Sequence, residues 1–186
     1  MKKNVIFVSI IVAALLCLLF SNQIKKSYYA FKLKMNLTDD YNEYEQVIHD
    51  ISRNFPLEEL KIWYSNLAKD NFVLRRGIIC AIGYQGEDAE EYLLNLFNSE
   101  PKEGDDFFDI IAGLACNEMI DAKIVLDKVC TNEFLLRKTI TIFAEYRGHD
   151  HGVNIFKNYE KYFSEHSMDK CMLKKYLNYH DNDEDM

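Results

Sequence analysis

The sequence predicts an all-α protein built from stacked helical pairs, and three features of its 186 residues carry that prediction. A stretch in the middle of the chain recurs without a gap 62 residues later, the mark of a stacked-repeat architecture. Only two prolines and seven glycines punctuate the chain, and no clear run of alternating apolar and polar residues signals a strand. Apolar side chains recur instead three and four residues apart, as one buried face of a helix requires.

Taken in order, the chain opens with Lys2 and Lys3, followed by sixteen residues, Val5–Phe20, without a charge. A bilayer span needs roughly 20 residues, and Ser21–Ile24 extends the run towards that length. No convincing small-residue cleavage site follows Leu18, so residues 1–26 are expected to be a transmembrane anchor, with lipid contact through residues 4–24. A cleaved signal and a buried helix are the alternatives. Lys2, Lys3 and the α-amino group favour a single-pass topology with an exported domain. Lys25, Lys26, Lys32 and Lys34 pull towards a cytoplasmic one, resting on anionic headgroups. Residues 27–37 continue as a helical stalk, with Tyr28, Tyr29 and Phe31 suited to the water–lipid boundary.

The repeat domain is expected over 38–180. Thr38 reads as an N-cap, and Tyr41, Tyr44, Val47, Ile48 and Ile51 form the first stripe. Pro56 opens the next helix, where its missing N–H costs nothing, and Leu57, Leu60, Tyr64, Leu67 and Ala68 give that helix its face. In the repeated unit, Phe72, Ile78, Ile79 and Ile82 suit one buried face. Gly86 stands where a helix end wants a left-handed backbone. Glu87 and Asp88 sit at the positive end of the following helix, whose stripe is Ala89, Leu93, Leu96 and Phe97. Ser99–Asp105 is the clearest interior loop. Residues 107–130 form a degraded middle copy, with Ile110–Ile111 on Ile78–Ile79 and no arginine at the position of Arg75. In the last copy Phe134, Leu136, Arg137, Lys138, Ile140, Tyr146, Gly148 and Asp150 fall on Phe72, Leu74, Arg75, Arg76, Ile78, Tyr84, Gly86 and Asp88. Met168–Tyr179 reads as a capping helix with Met172, Leu173, Tyr176 and Leu177 inward, and 181–186 as a disordered acidic tail.

With Val73, Arg75 or Arg76, Ala81-Ile82-Gly83 and Gly86-Glu87-Asp88-Ala89, residues 71–97 resemble a HEAT repeat of the short bacterial, PBS-lyase-like form. Residues 133–159 resemble it less closely: Phe143 and Glu145 replace the small Ala81 and Gly83, which would widen the gap between helices. The resemblance implies a HEAT-like α-solenoid of about four helical pairs plus a capping helix, whose usual work is protein binding. It brings no catalytic residues and no cofactor.

The net charge is −8, and every acidic residue lies after position 36. Such a surface repels phosphates, so no nucleic-acid partner is expected, whereas a basic protein would be welcome. His149-Asp150-His151 is the sharpest metal-like cluster, yet its register in the repeat is the ordinary turn between helices. Arg75, Arg76, Arg137 and Lys138 recur at one place in the unit, as a structural ladder would, with Asp70, Asn71, Asn132 and Glu133 as acidic or amide partners near the helix starts. Glu90-Glu91, Asp105-Asp106-Asp109 and Asn117-Glu118 are carboxylates without the separation that paired acid–base catalysis needs. Cys80, Cys116, Cys130 and Cys171 lie among apolar neighbours with no Cys-x-x-Cys spacing, which suits buried free thiols.

The expected function is therefore a membrane-anchored scaffold for protein–protein interaction, not an enzyme. Its partner face would lie on the second helix of each unit: Glu91, Asn95 and Asn98, then Lys123 and Lys128, then Asn154, Lys157, Asn158 and Lys161. A membrane-bound immunity protein neutralising a toxin is one alternative, and a helical enzyme or lipid-handling domain is another.

Overall fold

The computed structural model describes residues 20–35, 41–101 and 104–178. Among these the chain is helical, with no strand. Helix α1 covers 20–35, followed by α2 (Tyr41–Asn54), α3 (Leu57–Ser65), α4 (Phe72–Gly83) and α5 (Glu87–Ser99). Then come α6 (Gly104–Cys116), α7 (Ala122–Val129), α8 (Glu133–Arg147), α9 (His149–Tyr159), a 3₁₀ turn (Glu160–Tyr162) and α10 (Met168–Tyr176). Most of the expected anchor, the N-cap at Thr38 and the acidic tail lie outside the described residues. No described helix is long and apolar enough to cross a membrane.

The first helices of the pairs pack side by side in chain order, α2 on α4, α4 on α6, α6 on α8 and α8 on α10. Three second helices pack on the first helix that follows them, α3 on α4, α5 on α6 and α7 on α8, whereas α9 packs back on its own α8. One apolar core runs the length of this row, from Leu33 to Leu177. Each fully buried Ile or Phe in it contributes about 2 kcal/mol by leaving water. Helix α4 lies between α2 and α6 and is buried on nearly every side, so Leu74, Ile78, Ile79 and Ile82 are all covered. Phe72, expected inward, is instead 57% exposed, because it stands at the first residue of α4, on the edge of the row.

Small residues set the closest approach. A Cβ built on Gly83 would stand 2.3 Å from the Gly113 carbonyl oxygen, and one on Gly113 2.8 Å from Ile79. In α8 the place of Gly83 is taken by Glu145, and the close approach moves inside the pair: a Cβ on Gly152 of α9 would meet Ala144 at 2.4 Å. Gly86 and Gly148 both take positive φ, +69° and +93°, at the turn between the helices of a pair, a conformation that a side chain disfavours.

The turns between first and second helices reach back along the row, and this was not visible in the sequence. The Gln85 amide donates to the Ser52 and Phe55 carbonyls at the end of α2. One unit later, Asn117 donates to the Gly86 carbonyl at 2.7 Å. Arg147, which falls on Gln85 in the repeat, donates to the carbonyls of Leu114 (3.1 Å), Ala115 (2.8 Å), Asn117 and Ile120 (2.9 Å). Carbonyls at a helix end have no partner in their own helix, and each unit supplies donors for its predecessor.

Three further expectations change. Residues 27–35, expected to stand off as a stalk, lie against the first unit. Leu33 is fully buried and fills the space left by Gly77, where a Cβ would come within 2.8 Å of its methyl. Tyr29 packs edge-on to Phe55 at 5.9 Å, and Lys26 pairs with Glu59 at 2.9 Å, so 26, 29 and 33 share one packed face. In α10 only Leu173 and Leu177 of the expected four point inward; Met172 and Tyr176 are exposed, because a single first helix, α8, covers α10 on one side. Helix α3 ends at Ser65 and buries Trp63; beyond its end Leu67 still packs half-buried against the core, whereas Ala68 is exposed.

Candidate interaction surface

The recurrent basic residues join neighbouring first helices. Arg76 Nε lies 2.8 Å from Asp109 Oδ1, from α4 to α6. Arg75 Nε is 3.0 Å from Asp106 Oδ1, a charge contact in which the N–H is not aimed at the oxygen. Its other nitrogens donate to the Tyr64 hydroxyl at 3.0 Å and the Leu67 carbonyl at 3.3 Å. Arg137 pairs with Asp169 at 2.5 Å, from α8 to α10, and Lys138 beside it is half-buried. The acids therefore come from the first two turns of the next first helix. Asn132 caps its own helix through Leu135 N–H at 3.1 Å, and Glu133 takes the Ser164 hydroxyl and N–H at 2.6 and 2.8 Å. Burial pushes the Asp109 carboxyl up, against the pull of Arg76, and its second oxygen has no hydrogen-bond partner.

All nine side chains expected on the second helices are exposed, and seven of them line two recesses. A groove of about 550 Å³ runs between α7 and α9, with Lys123, Asn154, Asn158 and Lys161 along it, beside Asp121, His151 and Tyr162. Its walls are tied by Asp127, which accepts from the Tyr159 hydroxyl at 2.6 Å and from Lys123. These contacts hold the Asp127 carboxyl below its usual range, Lys123 acting first and Tyr159 second. A shallower recess of about 440 Å³ lies along α5 at Glu87, Glu90, Glu91, Leu94, Asn95 and Asn98. Lys128 bridges the two regions by donating to Asn98, and its ammonium sits 5.5 Å from the Phe97 ring. Lys157 is exposed on α9 outside the groove lining. First helices thus meet by direct packing, while these bridges join second helices around open space lined by polar and apolar side chains.

The remaining candidates are dispersed. His149 stacks on Tyr176 at 5.3 Å, His151 faces Phe143 at 6.4 Å, and Asp150 lies exposed between them at the start of α9. Burial and then Arg147 push the His151 imidazole below its usual range, which favours its neutral form. Among the described residues no group of three or more His, Cys, Asp or Glu side chains is placed to hold a metal ion. His49, isolated in the sequence, stacks on Tyr84 at 3.9 Å. Cys80 and Cys116 are buried free thiols, whereas Cys130 is half-buried and Cys171 exposed. Cys171 stands two residues before Leu173, on a different side of α10 from the face that packs. No family model matches the chain, and neither curated proteins nor solved structures give a significant match to it.

Proposed function

We propose that this chain is a membrane-anchored scaffold whose HEAT-like solenoid holds a partner protein along its second helices, centred on the α7–α9 groove. The observation that carries the reading is that groove, about 550 Å³, where ammonium, amide and carboxylate groups line a space that the core leaves open. Mixed polar groups of this kind suit a polypeptide segment, which brings its own donors and acceptors. The repeat resemblance supports a binding role by analogy of fold, and the uncharged run Val5–Phe20 supports the anchor. Lys161 in the groove and the exposed Lys157 near it favour an acidic segment of that partner.

The test is photocrosslinking from Asn158 in the full chain in its native membrane, compared with crosslinking from Gln46 on α2. A discrete adduct formed from Asn158 alone, and reduced by joint Lys157→Glu and Lys161→Glu substitution, supports the reading. Equal adducts from both positions, or capture unchanged by charge reversal, overturn it. A reporter fused after Met186 decides the topology, for which an exported domain is expected.

A further inference from the structure

Building on the membrane anchoring proposed above, we infer that α1 is also a docking face: its outer side is inserted in the anionic boundary of the bilayer while its inner side carries the repeat domain. The helix has two unlike faces. Lys26, Tyr29 and Leu33 are packed on α2, α3 and α4 through Glu59, Phe55 and Gly77. On another side Phe20, Ile24, Tyr28 and Phe31 are 67%, 67%, 51% and 62% exposed. Their spacing of four, four and three residues makes one stripe about 16 Å long at 1.5 Å per residue. An apolar row of this size on a surface marks an interaction site.

Charge decides what covers it. Residues 20–35 contain four lysines and no acidic residue, in a chain whose acidic residues all lie further on. If Ile24, Tyr28 and Phe31 were the seam of a helix dimer, the flanking positions would bring Lys25, Lys32 and Lys34 of one copy towards those of the other, with no acid on α1 itself and only Asp50 and Glu43 of α2 acting on Lys32. An anionic lipid surface accepts the same lysines favourably, and aromatic side chains beside them suit the headgroup level. The uncharged run Val5–Phe20 leads straight into the stripe. In this arrangement Phe20 and Ile24 lie deepest, Tyr28 and Phe31 lie at the headgroups, and the domain is held against the membrane.

Nitroxide accessibility tests this in the full chain, with Cys17, Cys130 and Cys171 replaced by serine. Single labels are placed through Ala13→Cys, Tyr28→Cys, Phe31→Cys and Glu58→Cys in vesicles of phosphatidylcholine and phosphatidylglycerol. The expected result is that oxygen collision exceeds collision with a water-soluble nickel chelate at positions 13, 28 and 31, and that the order reverses at 58. Lipid access at 13 with water access at 28 and 31 overturns the docking face and leaves the anchor standing. Water access at 13 overturns both. Shielding of 28 and 31 from both reagents, or dipolar broadening between labels, assigns the stripe to a protein contact or a second copy and overturns the inference.

Discussion

Residues 71–97 and 133–159 are two copies of one segment, and they join the row of helices by different means. In the first, Gly83 brings α4 and α6 into backbone contact at Gly113, and two arginines reach α6 from one turn of α4. In the second, Phe143 fills the core, the close approach shifts to Ala144 and Gly152 within the pair, and Arg137 alone carries the ion pair to α10. Arg147 then supplies four carbonyl contacts where Gln85 supplies two. A repeat fixes where an interaction falls in the unit, and local side-chain size and charge determine how it is made.

Substitutions can break this comparison. The largest effect is expected from Gly83→Val, which forces side-chain atoms into the Gly113 backbone and should cost about 3 kcal/mol in chemical denaturation. Glu145→Val, at the matching place in the second copy, should cost far less. Arg147→Met leaves the end of α6 without its donors and should cost about 2 kcal/mol, measured in the same way, with faster amide exchange in α6. Asp109→Asn should cost about 2 kcal/mol, less than a fully buried pair would, since Arg76 is one third exposed. Asp169→Asn, whose carboxylate is more open to water, should cost about 0.5 kcal/mol.

The smallest effect is a pH dependence. The hydroxyls of Ser164 and Ser167 and the Ser164 N–H hold the Glu133 carboxyl below its usual range. Because the folded value is depressed, the stabilisation is complete above the ordinary glutamate range and is lost as pH falls through the lowered value. Wild type should therefore melt above Glu133→Gln at neutral pH and coincide with it in strong acid. A constant gap across pH would remove the ionised carboxylate from the account.

Much of the fold was legible because it follows from local rules. Gly86 and Gly148 declared the turns, and the apolar spacing of Ala89, Leu93 and Phe97 declared the inward face of α5. The basic row at Arg75, Arg76 and Arg137 was legible as a recurrence, but its partners were not. Asp106, Asp109 and Asp169 lie 31 to 33 residues away, a separation that acquires meaning only once the rise of the stack is known. The same distance hid the contacts of Gln85, Asn117 and Arg147. Phe72 and Met172 misled because apolar type was taken for burial at helix positions where the row simply ends. Helix α1 misled because the slot that receives Leu33 is the absence of a side chain, at Gly77. On the second helices, the nine exposed positions followed from helical period, whereas the groove between α7 and α9 depends on how far apart those helices stand.

The backward reach of each turn has a consequence for synthesis. As the chain leaves the ribosome, the end of α2 waits for Gln85, and the end of α6 waits for Arg147, before their carbonyls exchange water for protein donors. A nascent chain stalled inside a unit therefore carries one frayed helix end at its growing tip, and each newly emerged turn closes the unit before it, so maturation runs like a zip from the N-terminal end outward.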